Sequence, residues 1–120
     1  MIKNAFFVLA VPDLKRSGDF YRDVLGFEIQ DMGDPGWRLF VRDECRIMAG
    51  ECRDAMPAAD IGEHSYLAYL VVDDADAFME RAIAAGANIC KPLASESWGM
   101  REFGVRTVDG HRIMIAHELD

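Results

Sequence analysis

The stretch from Arg106 to Glu118, RTVDGHRIMIAHE, holds two of the chain's three histidines, His111 and His117, and ends on the carboxylate of Glu118. Imidazole nitrogen and carboxylate oxygen together make a donor set suited to a divalent ion. Alternation along a strand separates them. Met114, Ala116 and Glu118 fall on one face, and Ile113, Ile115 and His117 on the other. His111 adjoins a turn, and His64 closes a loop. The histidines therefore read as satisfied surface groups, and no metal is expected.

Other reactive sets are equally incomplete. The three cysteines, Cys45, Cys52 and Cys90, form no C-x-x-C pair, which predicts reduced, structural thiols. No Gly-x-Ser-x-Gly elbow and no Ser/His/Asp order is present. The residues suited to noncovalent chemistry are aromatic. Trp37 and Trp98 stand at loop–strand junctions, and alternation puts Phe6, Tyr69 and Met114 on one surface. Those apolar strand residues either line a pocket or fill a closed core.

Composition narrows the class. A chain of 120 residues with 51% apolar content supports one domain, or two small modules sharing a core. There are 21 acidic against 13 basic residues, a net charge of −8, which argues against a nucleic-acid partner. No apolar run approaches a membrane span. The start, MIKNAFFVLAVPDLKR, passes directly into charged residues without a cleavage pattern, so a cytoplasmic location is expected.

The elements that must position these residues occur twice. WRLFVRDECRIMAG (37–50) is echoed by MREFGVRTVDGHRIMIA (100–116), and VPDLKRSGDFYRDVLGFEI (from Val11) by VVDDADAFMERAIAAGANI (from Val71). In the second helix Ala75, Phe78, Met79, Ala82 and Ile83 make one apolar stripe. Leu14, Ser17, Tyr21, Val24 and Leu25 form the corresponding face of the first. Asp13 and either Asp73 or Asp74 suit N-caps, and Gly26 and Gly86 suit left-handed C-caps. Asp109-Gly110 predicts a two-residue hairpin. Each half reads β-α-β-β-β, with residues 1–50 and 65–120 as modules and 51–64 as linker. The expected fold is α+β: two βαβββ modules forming a curved mixed sheet with a concave cleft, helices on the outer face.

These motifs resemble the vicinal oxygen chelate superfamily of glyoxalases, extradiol dioxygenases and bleomycin-resistance proteins, over essentially the whole chain. Metal-using members carry ligands on the first, fifth and eighth strands. The matching motifs place those positions on Phe6, Leu67 and Met114, none a usual ligand for a hard or borderline divalent ion. SWGMREF (97–103) resembles the Trp-Gly-Arg-Glu-Phe region of metal-free bleomycin-resistance proteins, with Met100 as an extra residue. The resemblance implies Trp98 as an aromatic clamp and Glu102 as a carboxylate attracting a cationic group.

The expected function is metal-independent binding of a small, flat, cationic or amphipathic molecule, with antibiotic immunity as the family precedent. The expected ligand-binding residues are Phe6, Trp37, Tyr69, Trp98, Glu102, Met114 and Glu118. No catalytic residue and no cofactor is assigned, and the resemblance implies a homodimer. The rival readings are a metal-dependent lyase, isomerase or dioxygenase using an unconventional ligand set that includes His64 or Glu118, and a purely structural partner domain.

Overall fold

A computed structural model describes residues 1–120. The chain divides into two compact units, Met1–Met56 and Pro57–Asp120. In the first, β1 (Phe7–Val11) leads to α1 (Leu14–Asp23), then β2 (Glu28–Asp31), β3 (Trp37–Arg42) and β4 (Cys45–Glu51). The second opens on two short 3-10 turns, spanning Ala58–His64 and broken at Gly62, within the stretch expected as linker. It continues through β5 (Tyr66–Val71), α2 (Ala75–Ala84), β6 (Asn88–Ser95), β7 (Met100–Arg106) and β8 (Arg112–Glu118). The strands form two four-stranded mixed sheets, ordered β1-β4-β3-β2 and β5-β8-β7-β6. In each, the first strand pairs in parallel with the last and the other pairs are antiparallel.

Local chemistry explains the helices. Asp13 and Asp74 are extended N-caps whose carboxylates accept from Arg16 N–H and Ala77 N–H. Gly26 and Gly86 take φ of 75° and 93° just past the helix ends, where a Cβ would be strained. A second side chain reaches each helix start from the last strand of its own unit. Leu14 N–H donates to Glu51 Oε2 at 3.1 Å, and Ala75 N–H donates to His117 Nδ1 at 2.7 Å. Glu51 and His117 hold matching places in RIMAGE and RIMIAH. The second histidine of the opening stretch thus satisfies a backbone donor that a helix leaves orphaned.

Each helix packs on one face of its sheet. In the first unit Leu14 and Tyr21 are buried with Leu9, Phe40 and Ile47. The Tyr21 ring lies 4.8 Å from Phe40 and 5.6 Å, edge-on, from Phe27. In the second, Ala75, Phe78 and Ala82 are buried with Phe103, Val105, Ile113 and Ile115, and the Phe78 and Phe103 rings lie 6.3 Å apart. Such pairs contribute about 0.5–1.5 kcal/mol beyond the area they bury. Ile83, counted in the predicted stripe, is exposed.

The last hairpin differs from expectation. Gly110 N–H donates to Thr107 O at 3.0 Å and Thr107 N–H to His111 O at 2.7 Å, with Gly110 at φ 89°. That is a three-residue loop closed by a left-handed glycine. A side chain there would also stand 2.6 Å from Ala59 N, so Gly110 answers to a turn and a close approach together. Phe6 lies just before β1, outside the strand expected to begin with it.

Two stability changes follow. His117→Ala, which orphans the Ala75 N–H, is expected to cost about 1 kcal/mol in urea unfolding. Phe103→Ala, at a site with no exposure, is expected to cost about 3–5 kcal/mol. An unchanged midpoint for either would contradict the packing described.

Candidate functional site

The strand pairing decides which side chains share the helix-free face of the second sheet. Tyr69 stands beside Met114, Met114 opposite Gly104, and Ala116 opposite Glu102. A bulge between Tyr66 and Ala68 shifts the β5 register. Tyr66 and Tyr69 thereby meet Arg112 and Met114 on one face, although they are three residues apart. The next loop repeats the geometry of the last hairpin: Gly99 N–H donates to Glu96 O at 3.1 Å, Glu96 N–H to Met100 O at 2.7 Å, and Gly99 has φ 87°. Met100, the extra residue of SWGMREF, is the first residue of β7 and pairs with Glu118. This turn sets Trp98 above the same face.

Glu102 organises the group. Its side chain is buried, the residue being 4% exposed. Oε1 accepts from the Tyr69 hydroxyl at 2.7 Å and from Trp98 Nε1–H at 2.8 Å. Oε2 lies 3.3 Å from Lys91 Nζ, which also donates to Glu96 Oε1 at 3.0 Å. An isolated buried carboxylate would be costly, and charge-assisted bonds of this kind are about twice as strong as neutral ones. Burial alone would raise the Glu102 pKa. The bonds from Tyr69, Trp98 and Lys91, with the Lys91 charge, outweigh burial and hold the carboxyl below the ordinary glutamate range. Burial and the neighbouring carboxylate push the Tyr69 phenol up, so it stays neutral and donates.

The two rings held by this carboxylate remain open to solvent, Tyr69 by 45% and Trp98 by 61%. Their polar edges are committed to Glu102 while their π-surfaces stay available. The arrangement suits stacking of a flat molecule. It does not suit proton transfer by Glu102, because each of its oxygens already has a partner.

Five expected site residues thus share one face: Tyr69, Trp98, Glu102, Met114 and Glu118. Met114 lies beneath that surface, 6% exposed, its Cε 2.7 Å from where a Gly104 Cβ would stand. Glu118 is exposed at the end of β8. Phe6 and Trp37 belong to the first unit and are partly exposed. Trp37 lies flat on Gly50, where a Cβ would come within 2.8 Å of the indole. It walls a cavity of about 210 Å³ with Val8, Ala10 and Cys52. The sequence reading missed Lys91 and Glu96, and also Tyr66, whose ring covers the Arg112 guanidinium at 4.7 Å.

His117 approaches Asp74 and Asp76 closely enough for a shared ion. Each of the three already has another role. His117 Nδ1 accepts from Ala75, Asp74 caps Ala77, and Asp76 takes two bonds from Arg101 at 2.8 and 3.0 Å. Burial lowers the pKa of His111, favouring its neutral form.

No helix is long and apolar enough to cross a membrane. A search of curated proteins finds no match. Among solved structures, the fold is shared with the bleomycin resistance determinant encoded on transposon Tn5 (19% identity, covering 98% of each chain, TM-score 0.79). It is also shared with TioX from Micromonospora sp. ML1 (24% identity, 97% of this chain and 100% of that one, TM-score 0.75). A third is TnmS3, an antibiotic binding protein from Streptomyces sp. CB03234 (21% identity, 98% of each chain, TM-score 0.74). The positions to which the sequence resemblance assigns metal ligands, Phe6, Leu67 and Met114, carry no side-chain oxygen or nitrogen donor for a divalent ion. The family model for the Glyoxalase/Bleomycin resistance protein/Dioxygenase superfamily matches residues 4–115, and the chain belongs to that superfamily.

Proposed function

We propose that this protein binds and sequesters a small, flat, amphipathic or cationic molecule without a bound metal, as an antibiotic-immunity protein does. One observation carries the reading: a buried carboxylate ties down the edges of two exposed aromatic rings, Tyr69 and Trp98. Nothing in the packing requires rings so placed to stay in water, whereas a ligand plane does. The similarity in fold to a bleomycin resistance determinant and to an antibiotic binding protein supports the same class.

In this reading Trp98 and Tyr69 stack on the ligand, Met114 forms the apolar floor, and Glu102 acts through the rings it orients. Glu118, exposed on the same face, meets a cationic group, and the net charge of −8 favours the approach of a cation. Phe6 and Trp37 give the first unit an exposed aromatic surface of its own. The protein works in the cytoplasm as a homodimer, which a solution mass measurement checks.

Micromolar affinity requires about 8 kcal/mol net. Two or three ring contacts, each contributing about 0.5–1.5 kcal/mol beyond area burial, reach it together with apolar burial. Titrating Trp fluorescence with bleomycin and with simpler cationic heteroaromatics is expected to give saturable quenching, unchanged by chelator. Trp98→Ala is expected to weaken binding about tenfold, roughly 1.4 kcal/mol. Equal affinity for Trp98→Ala, or binding abolished by chelator, would contradict the proposal.

A further inference from the structure

Lys91 is not where strand alternation from Ile89 would put it. Ile89 stands opposite Val105, on the helix-covered face, and the next paired residue but one would return to that face. Instead the register slips at Cys90 and Lys91 stands opposite Gly104, on the face of Glu102 and Tyr69. A bulge that re-aims one side chain is a feature to be explained, especially beside a candidate site. The residue across from it fits the same purpose. A Cβ on Gly104 would stand 3.1 Å from Lys91 Cβ, 3.1 Å from Cys90 Sγ and 2.7 Å from Met114 Cε. The missing side chain makes room for the lysine stem and the methionine together.

We propose that Lys91 is a positioning residue of the binding face, delivered by the Cys90 bulge and the Gly104 gap to keep Glu102 ionised and its carboxylate fixed, and through it the Trp98 and Tyr69 rings. This deepens the binding reading and rests on it for its purpose. Lys91 Nζ sits between Glu102 Oε2 at 3.3 Å and Glu96 Oε1 at 3.0 Å, tying a buried carboxylate to one in the Trp98 turn. An ionised Glu102 gives both indole and phenol a charged acceptor. A protonated one would have its own proton to donate and a weaker oxygen to offer. The groups facing Glu102 are Lys91 from β6, Glu96 and Trp98 from the following turn, and Tyr69 from β5. From β8 come uncharged Ala116 opposite and, one rung on, Glu118.

The test uses the full chain with Trp37→Phe, so that Trp98 is the sole indole, and follows its emission against pH with far-UV circular dichroism recorded in parallel. Because the folded carboxyl lies below the ordinary glutamate range, the transition is expected in acid, and Glu102→Gln is expected to abolish it. Lys91→Met is expected to move the midpoint to higher pH, and Lys91→Arg to restore it. Lys91→Gln, which keeps a polar donor at that position without the charge, is expected to move it to higher pH as well and decides the matter even if Lys91→Met does not fold. A midpoint indifferent to Lys91→Met, or to Lys91→Gln, would overturn the proposal, since a lysine acting only by packing would leave it in place. In a separate arm, phenazine, a flat uncharged probe, is expected to bind Lys91→Met severalfold more weakly than the parent or Lys91→Arg. If phenazine fails to bind the parent while the midpoints move as stated, the binding reading falls and the role of Lys91 in fixing Glu102 stands.

Discussion

A carboxylate removed from water must find donors, and the helix-free face of the second unit is organised around that requirement. Glu102 recruits a phenol, an indole and an ammonium group from three different segments of chain. The demand of one buried charge thereby fixes the Trp98 turn, the Tyr69 ring and the Lys91 stem at once. Apolar residues in the same places would bury more easily but would leave both rings free to rotate. The polar centre gives up some stability to hold two exposed aromatic surfaces in one geometry.

The two units show how the same scaffold takes different surfaces. Where the second has Glu102, opposite Ala116, the first has Trp37, opposite Gly50. Where the second has Tyr69 beside Met114, the first has Val8 beside Met48. The first unit's face is correspondingly apolar, with Trp37 lying on Gly50 and no buried charge beneath it. The helix side is treated the other way. Glu51 and His117 differ in chemistry yet both accept from the first N–H of a helix, so the role is kept while the residue changes. A histidine that invites a metal reading on paper is, in place, a helix cap.

Much of this was legible in the sequence because it depends on local rules. The Asp13 and Asp74 caps, the glycines that close the helices and the alternation placing His117 away from Met114 all follow from residues a few positions apart. The Glu102 network does not. Its register rests on bulges in β5 and β6, and bulges carry no reliable local mark. Lys91, read by alternation from Ile89, falls on the wrong face. Gly104 reads as a weak spot in a strand until the atoms that fill its space are known. Met114 was legible as a position but not as a buried one, since its depth depends on that same missing Cβ. The Asp109-Gly110 pair announced a turn correctly and its length wrongly, because a left-handed glycine closes three-residue loops as well as two-residue ones.

The most direct measurement of the central claim is the nitrogen–proton correlation spectrum of the Trp98 indole, recorded with and without a flat heteroaromatic ligand. The account predicts an indole N–H that exchanges slowly with water in the free protein, because it is bonded to Glu102. It also predicts ring resonances that shift on ligand addition while that N–H bond persists. An indole proton that exchanges freely, or a ligand that shifts resonances elsewhere and leaves the Trp98 ring untouched, would contradict it.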